Sequence, residues 1–255
     1  MSDAILETTG LGKRFGAFAA NSDIDFSVQE GELRAVIGPN GAGKTTFFNL
    51  LAGVTQATDG EIRFRGERIT PLRAPRRVAR GIAKAFQTAN IYPSETVLQN
   101  CRLAALARVS GLFAFEVFRS SRRLVDVDGI AHEALELVEL EPLAGVRAGD
   151  LSHGDKKRLD IAVALATKPR VLLLDEPVAG MSLDEVRKTD GLIRGLAKRM
   201  TVLLIEHDMT MIMGISDSIT VLHQGKILAE GTPAEIRANA RVQEAYLGGH
   251  TEGHL

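Results

Sequence analysis

Along the first third of the chain, apolar positions come in short runs set between turn residues. "AILETTG", "IDFSV" and "LRAVIG" read as strands on that spacing. "KTTFFNLLAGV" reads as a helix closed by Gly53. Strand alternation returns in "EIRFRGERI", "APRRVARG" predicts a short helix ending at Gly81, and "IAKAFQ" another strand. Between about residues 90 and 168 the spacing turns helical; in "GIAHEALELVEL", Ile130, Ala134, Leu135, Leu137 and Val138 share a face. "DLSHGDKKRLD" starts a further helix, with Ser152 as cap and Asp155 three residues on, as in a capping box. "RVLLLDE" and "TVLLIEH" are unbroken apolar runs, which suit strands buried on both faces of a parallel sheet. A helix from Leu183 to Lys198 separates them. "SITVLHQGKILAEG" predicts a hairpin turning at Gln224-Gly225, and two short helices finish the sequence. The outline is α/β, with a mostly helical insertion in its middle.

Composition narrows the function classes. The 255 residues are 45% hydrophobic and 25% charged, enough apolar material for a substantial core. Lys+Arg number 31 against 32 Asp+Glu, a balance that gives no support to nucleic-acid binding. Basic residues do gather at Arg73 to Arg80 and Arg119 to Arg123, and both clusters read as solvated helix faces. Cys101 is the single cysteine, so no intrachain disulfide forms, and its apolar setting "VLQNCRLAALA" predicts a buried position rather than a reactive thiol. The N-terminus lacks the pattern of a signal peptide, and no apolar run reaches the ~20 residues of a membrane span. No direct insertion into a membrane is expected.

Two motifs carry chemistry. "GPNGAGKT" matches G-x-x-x-x-G-K-[ST] and sits between a predicted strand and a predicted helix, as a phosphate loop requires. Candidate nucleotide-binding residues are Gly38, Pro39, Asn40, Gly41, Ala42, Gly43, Lys44, Thr45 and Thr46. The glycines let backbone N–H groups converge on phosphate oxygens, and the following helix offers its positive end to the same anion. Lys44 can reach the β- and γ-phosphates, and the Thr45 hydroxyl can ligate Mg²⁺. "VLLLDEP" then puts two carboxylates at the end of a buried strand, where ligands of open α/β sheets collect. Asp175 is placed to hold Mg²⁺, and Glu176 to orient or deprotonate an attacking water.

With the phosphate loop, "LSHGD" and "LLLDEP" in this order, the whole chain resembles the ATP-binding subunit of an ABC transporter. "LSHGD" is similar to the family's signature, usually LSGGQ. The resemblance implies a P-loop ATPase core with a mixed sheet and an antiparallel β portion near the N-terminus. It also implies a helical subdomain inserted between the Gln87 loop and the signature. The expected division is an ATPase core of 1–87 and 169–230, a helical subdomain of 88–168 and a helical tail of 231–255. It further implies that Gln87 contacts Mg²⁺ and the membrane subunits, that His207 contacts the γ-phosphate, and that Phe15 stacks on adenine. In this family two ATP-binding subunits pack head to tail, so Ser152 and Gly154 would complete the partner's ATP site. Asp155 and His153 depart from the usual Gln and Gly, and the Asp155 side chain is expected to point away from ATP. Ser182 stands where an Asp is common and is expected to bond across the dimer without charge.

"AGM" after "DEPV", and the tail "LAEGTPAEIRANARVQEAYLGG", resemble the branch that takes up branched-chain and other hydrophobic amino acids, amides and urea. That branch implies two permeases, a second ATP-binding subunit in a homo- or heterodimer, and a solute-binding protein. It also implies a peripheral place on the cytoplasmic face of the inner membrane, with residues from about 88 to 150 facing the permeases. Three alternatives stay open on the sequence: a lipopolysaccharide-exporting ATPase, a non-transport ABC ATPase, and a regulatory module that binds nucleotide without hydrolysing it.

Overall fold

The computed structural model describes residues 4–85, 91–109 and 121–247. Along the chain come β1 (Ala4–Phe15), β2 (Phe18–Gln29), β3 (Leu33–Ile37), α1 (Lys44–Ala52), β4 (Asp59–Phe64) and β5 (Glu67–Arg68). Then follow α2 (Ala74–Arg80), β6 (Ile82–Ala85), α3 (Val97–Val109), α4 (Ser121–Leu137), α5 (His153–Leu165), β7 (Val171–Asp175) and α6 (Leu183–Ala197). The last elements are β8 (Thr201–Ile205), α7 (Met209–Ile215), β9 (Ser218–His223), β10 (Lys226–Gly231), α8 (Pro233–Ala238) and α9 (Ala240–Leu247). They form two compact units, one from residues 1–74 and 197–255, the other from 75–196.

The first unit holds an antiparallel sheet in the order β2-β1-β4-β5. Period-two alternation sets its buried face: Ile24, Phe26 and Val28 point inward while Asp23, Asp25 and Gln29 are exposed. Phe26 meets Phe47 of α1 edge-on, with ring centroids 5.2 Å apart. The same unit carries the strands β10-β9-β3-β8 in that order. β3 runs parallel to both β8 and β9, and β9 is antiparallel to β10, so the sheet is mixed. The β8 run TVLLI is buried at every position, as an unbroken apolar strand requires. The C-terminal helices close this core: Ile236 of α8 and Val242 of α9 pack on Ala35, Ile37, Ile212, Ile219 and Val221.

The second unit pairs β6 with β7 in parallel and packs α3, α4 and α5 together. Small residues at the helix contacts (Ala105, Ala131, Ala134, Ala162) allow close approach, and all four are buried. Cys101 is fully buried, and burial, with Glu141 nearby, pushes its thiol up to about 12, so it stays protonated and unreactive. Among the described residues no helix is long and apolar enough to cross a membrane.

The α/β class, the mixed sheet and the N-terminal antiparallel portion are as expected. Three details differ. "EIRFRGERI" is not one strand but a hairpin, because Arg65 and Gly66 both take positive φ (51° and 78°) between β4 and β5. On α4, Ala131 is buried with Ile130, Ala134 and Leu135, while Leu137 is half-exposed. Arg77 is not on a solvated face: its side chain is buried, and burial lowers its pKa to about 10.

Candidate nucleotide site

In the first unit, β3 ends at Ile37 and the chain turns at once into the loop 38–43. Two glycines are obligatory there. A Cβ on Gly38 would stand 2.1 Å from the Leu222 carbonyl, and one on Gly43, at φ 95°, would stand 2.5 Å from that of Ala20. The loop is braced from outside. The buried Asn21 donates to the Gly43 carbonyl at 3.2 Å, and the Gly225 N–H of the β9–β10 turn donates to the Ala42 carbonyl at 3.1 Å. From α9, Tyr246 is held beside Gly38: burial pushes its hydroxyl up to about 12, against a smaller opposing effect of the Gly38 backbone.

The site is built for an anion. α1 has Gly43 as its N-cap, with no capping side chain and no acidic residue in its first turn, an N-terminus suited to an anionic ligand. Lys44 is buried and folds over the loop, donating to the carbonyls of Gly38 at 2.7 Å and Pro39 at 3.0 Å. Thr45 is exposed at the mouth, and Thr46 is half-buried. Phe15, at the tip of the β1–β2 hairpin opposite Phe18, is 53% exposed, and Lys13 Nζ lies over its ring, 5.0 Å from the centroid. His207 is exposed on the turn between β8 and α7, just before Asp208, which caps α7 through the Met211 N–H.

In the second unit, β7 is buried along its whole length and ends at Asp175. Asp175 Oδ2 pairs with Lys84 Nζ of β6 at 2.8 Å, with both side chains at most 4% exposed. Its Oδ1 is buried and has no hydrogen-bond partner among the described residues. A buried carboxylate oxygen left without a donor is costly unless a cation meets it, so Asp175 fits the role of a Mg²⁺ ligand. The next residue, Glu176, is half-buried and takes φ 53°, a conformation that costs a residue with a side chain on the order of 1 kcal/mol. Its carbonyl accepts Lys157 Nζ of α5 at 2.8 Å.

The signature lies on α5 of the same unit. Ser152 caps the helix, accepting the Asp155 N–H at 3.1 Å, which contributes about 1 kcal/mol. The Ser152 hydroxyl donates to Asp155 Oδ2 at 2.8 Å, and Asp155 also pairs with Arg158. Asp155 is thus turned onto its own helix, and it answers the cap through the Ser152 hydroxyl rather than through a backbone N–H. Gly154 is buried where a Cβ would meet Glu185 Oε1 at 2.3 Å. Ser182 is exposed and bonds locally to the start of α6: its N–H and hydroxyl donate to Glu185 at 2.9 and 2.8 Å. These bonds, the backbone one first, lower the pKa of Glu185.

The first unit therefore carries the phosphate loop, Phe15 and His207, and the second Asp175, Glu176, Ser152 and Gly154. Gln87 lies outside the described residues, as do residues 111–120 of the stretch "GLFAFEVFRSSRR". Sequence reasoning missed Lys84, Lys157, Asn21 and Tyr246. A lone lysine inside the apolar run "IAKA" was the available signal for Lys84, since a buried cation needs a counter-charge. For the other three no local pattern existed.

The sequence model of the ABC transporter matches residues 21–179. The chain belongs to the ABC transporter family. A second model, of the branched-chain amino acid ATP-binding cassette transporter, matches residues 226–252. Among curated relatives of this ABC protein is the high-affinity branched-chain amino acid transport ATP-binding protein BraF of Pseudomonas aeruginosa, 42% identical over 97% of this chain and 99% of the relative. Among solved structures, the ADP conformation of an ATP-binding cassette of an ABC transporter aligns with a TM-score of 0.82 at 29% identity, covering 97% of this chain and 100% of the other. A dimeric cassette in a post-hydrolysis state, bound to ADP and Pi, aligns at 0.75 and 25% identity, covering 89% and 98%.

Proposed function

We propose that this chain is the ATP-hydrolysing subunit of an importer of branched-chain amino acids. It works on the cytoplasmic face of the inner membrane, as one of two ATP-binding subunits beneath two permeases fed by a solute-binding protein. The observation that carries this reading is the near end-to-end likeness to BraF, a branched-chain amino acid transport ATP-binding protein, together with the tail match at 226–252.

ATP sets its phosphates on the loop from Gly38 to Thr46 and its adenine on Phe15. Lys44 turns from its loop carbonyls to the β- and γ-phosphates. Thr45, Asp175 and Gln87 are the residues that would hold Mg²⁺, which when bound supplies positive charge to the β- and γ-phosphate oxygens. Glu176 orients a water and draws its proton as the water oxygen bonds the γ-phosphorus. The bond to the β–γ bridging oxygen breaks, leaving ADP and inorganic phosphate. His207 steadies the γ-phosphate. Ser152 and Gly154 complete the site of the partner subunit, so ATP joins the two subunits and hydrolysis lets them part.

The ATPase core is 1–87 and 169–230, the helical subdomain 88–168 and the tail 231–255; the mutual packing of α3, α4 and α5 supports the middle division. A groove of about 920 Å³ beside α3, with Tyr92, Gln99, Leu103 and Leu106 in its lining, supports this subdomain as the face toward the permeases. Leucine uptake into membrane vesicles carrying the assembled transporter tests the reading. ATP-dependent uptake that Lys44→Ala abolishes is the expected result. An assembly that hydrolyses ATP yet moves no leucine, isoleucine or valine would contradict the cargo.

A further inference from the structure

α5 does more than present Ser152. Three of its early residues rest on the segment that follows β7. His153 Nε2 lies 3.4 Å from the Ala179 carbonyl. Gly154 lies against the Glu185 side chain, whose Oε1 would stand 2.3 Å from a Cβ there and would have to move to admit one. Lys157, three residues on, is buried, and its ammonium donates to the Glu176 carbonyl at 2.8 Å. Residues 176 to 185 are thus braced by the same helix turn that carries the signature.

We propose that Lys157 is a positioning residue for Glu176, tying the signature helix of each subunit to the water-orienting carboxylate of that same subunit. This rests on the reading of Glu176 and Ser152 given above. Glu176 leaves β7 with φ 53°, outside the wells that a residue with a side chain prefers, so something must hold it there. A buried ammonium on its carbonyl fixes the peptide plane after Glu176, and with it the direction in which the Cα–Cβ bond points. A charge-assisted bond suits that task better than a neutral one. The consequence is a link between two ATP sites. When the N-terminus of α5 takes up the γ-phosphate of the partner's ATP, Lys157 carries the helix's position to Glu176 in its own site. Each subunit's water-orienting group is then set by the nucleotide its signature touches.

The test is ATP turnover by the purified full chain with Lys157→Met and Lys157→Arg, each also combined with Glu176→Gln. Lys157→Met is expected to lower kcat by about tenfold or more, as a sub-ångström to ångström displacement of a reacting group does. KM for ATP is expected to stay the same, since the phosphate loop is untouched. Lys157→Arg should restore most of kcat. In the Glu176→Gln background, Lys157→Met should change the residual single-turnover rate by less than about twofold, the mark of two residues acting through one group. A kcat unchanged in Lys157→Met would overturn the proposal alone, and so would an equal fall in both backgrounds. If Lys157→Met does not fold, Lys157→Gln, which keeps a neutral donor, carries the same comparison. Undiminished turnover in Glu176→Gln itself would overturn the reading of Glu176, and the proposal with it.

Discussion

Glu176→Gln is expected to lower ATP turnover by about 10²–10⁴-fold, the range that loss of a general base brings. ATP binding should survive. The phosphate loop lies in the other unit, and the amide keeps the size of the carboxylate. The backbone of residue 176 should also keep its place, because the bond from Lys157 Nζ is to its carbonyl, which the substitution leaves intact. Radiolabelled ATP at saturation, followed as bound nucleotide and as released phosphate, separates the two effects. Tight binding with almost no phosphate release is the predicted outcome. Turnover within a few-fold of the parent would place the base elsewhere.

Asp175→Asn is expected to damage stability as well as catalysis. Asp175 and Lys84 form a nearly water-free ion pair at 2.8 Å. Removing one charge from such a pair costs about 3 kcal/mol or more, because the other charge stays buried. For a chain of this length that is roughly a 10 °C fall in Tm. The same change weakens the cation site, since Oδ1 becomes part of a neutral amide. Thermal melts of Asp175→Asn and of the Lys84→Met/Asp175→Asn double variant check the argument. The double variant should recover much of the lost Tm while remaining inactive. Equal melting of parent and Asp175→Asn would mean the pair contributes nothing to stability.

The particular elements show what a sequence can and cannot give away. β7 and β8 were legible because a strand buried on both faces must be apolar at each position, and "VLLL" and "TVLLI" are. The phosphate loop was legible because close backbone approach at Gly38 and Gly43 excludes any side chain. The hairpin inside "EIRFRGERI" was not read, since alternation continues through the turn and only Gly66 betrays it. Asn21 and Tyr246 act on the phosphate loop from positions far away in sequence, through contacts that only folding creates. Lys157 stands among three consecutive cations with nothing local to single it out; of these, Lys156 and Arg158 are part-exposed and Lys157 is buried. Ser152 caps α5 as the pattern predicts, and the proposed function gives the same residue a second half, the contact with a partner's ATP.

That other half gives the decisive measurement. The Ser152 hydroxyl now donates to Asp155, and it must turn from that carboxylate to a partner's γ-phosphate if the signature is half of a shared site. Light scattering on Glu176→Gln protein, with and without MgATP, reads this directly. A doubling of mass with MgATP is expected, and no doubling once Ser152→Arg is added. A protein saturated with ATP yet monomeric, both alone and mixed with the second ATP-binding subunit of its transporter, would contradict it.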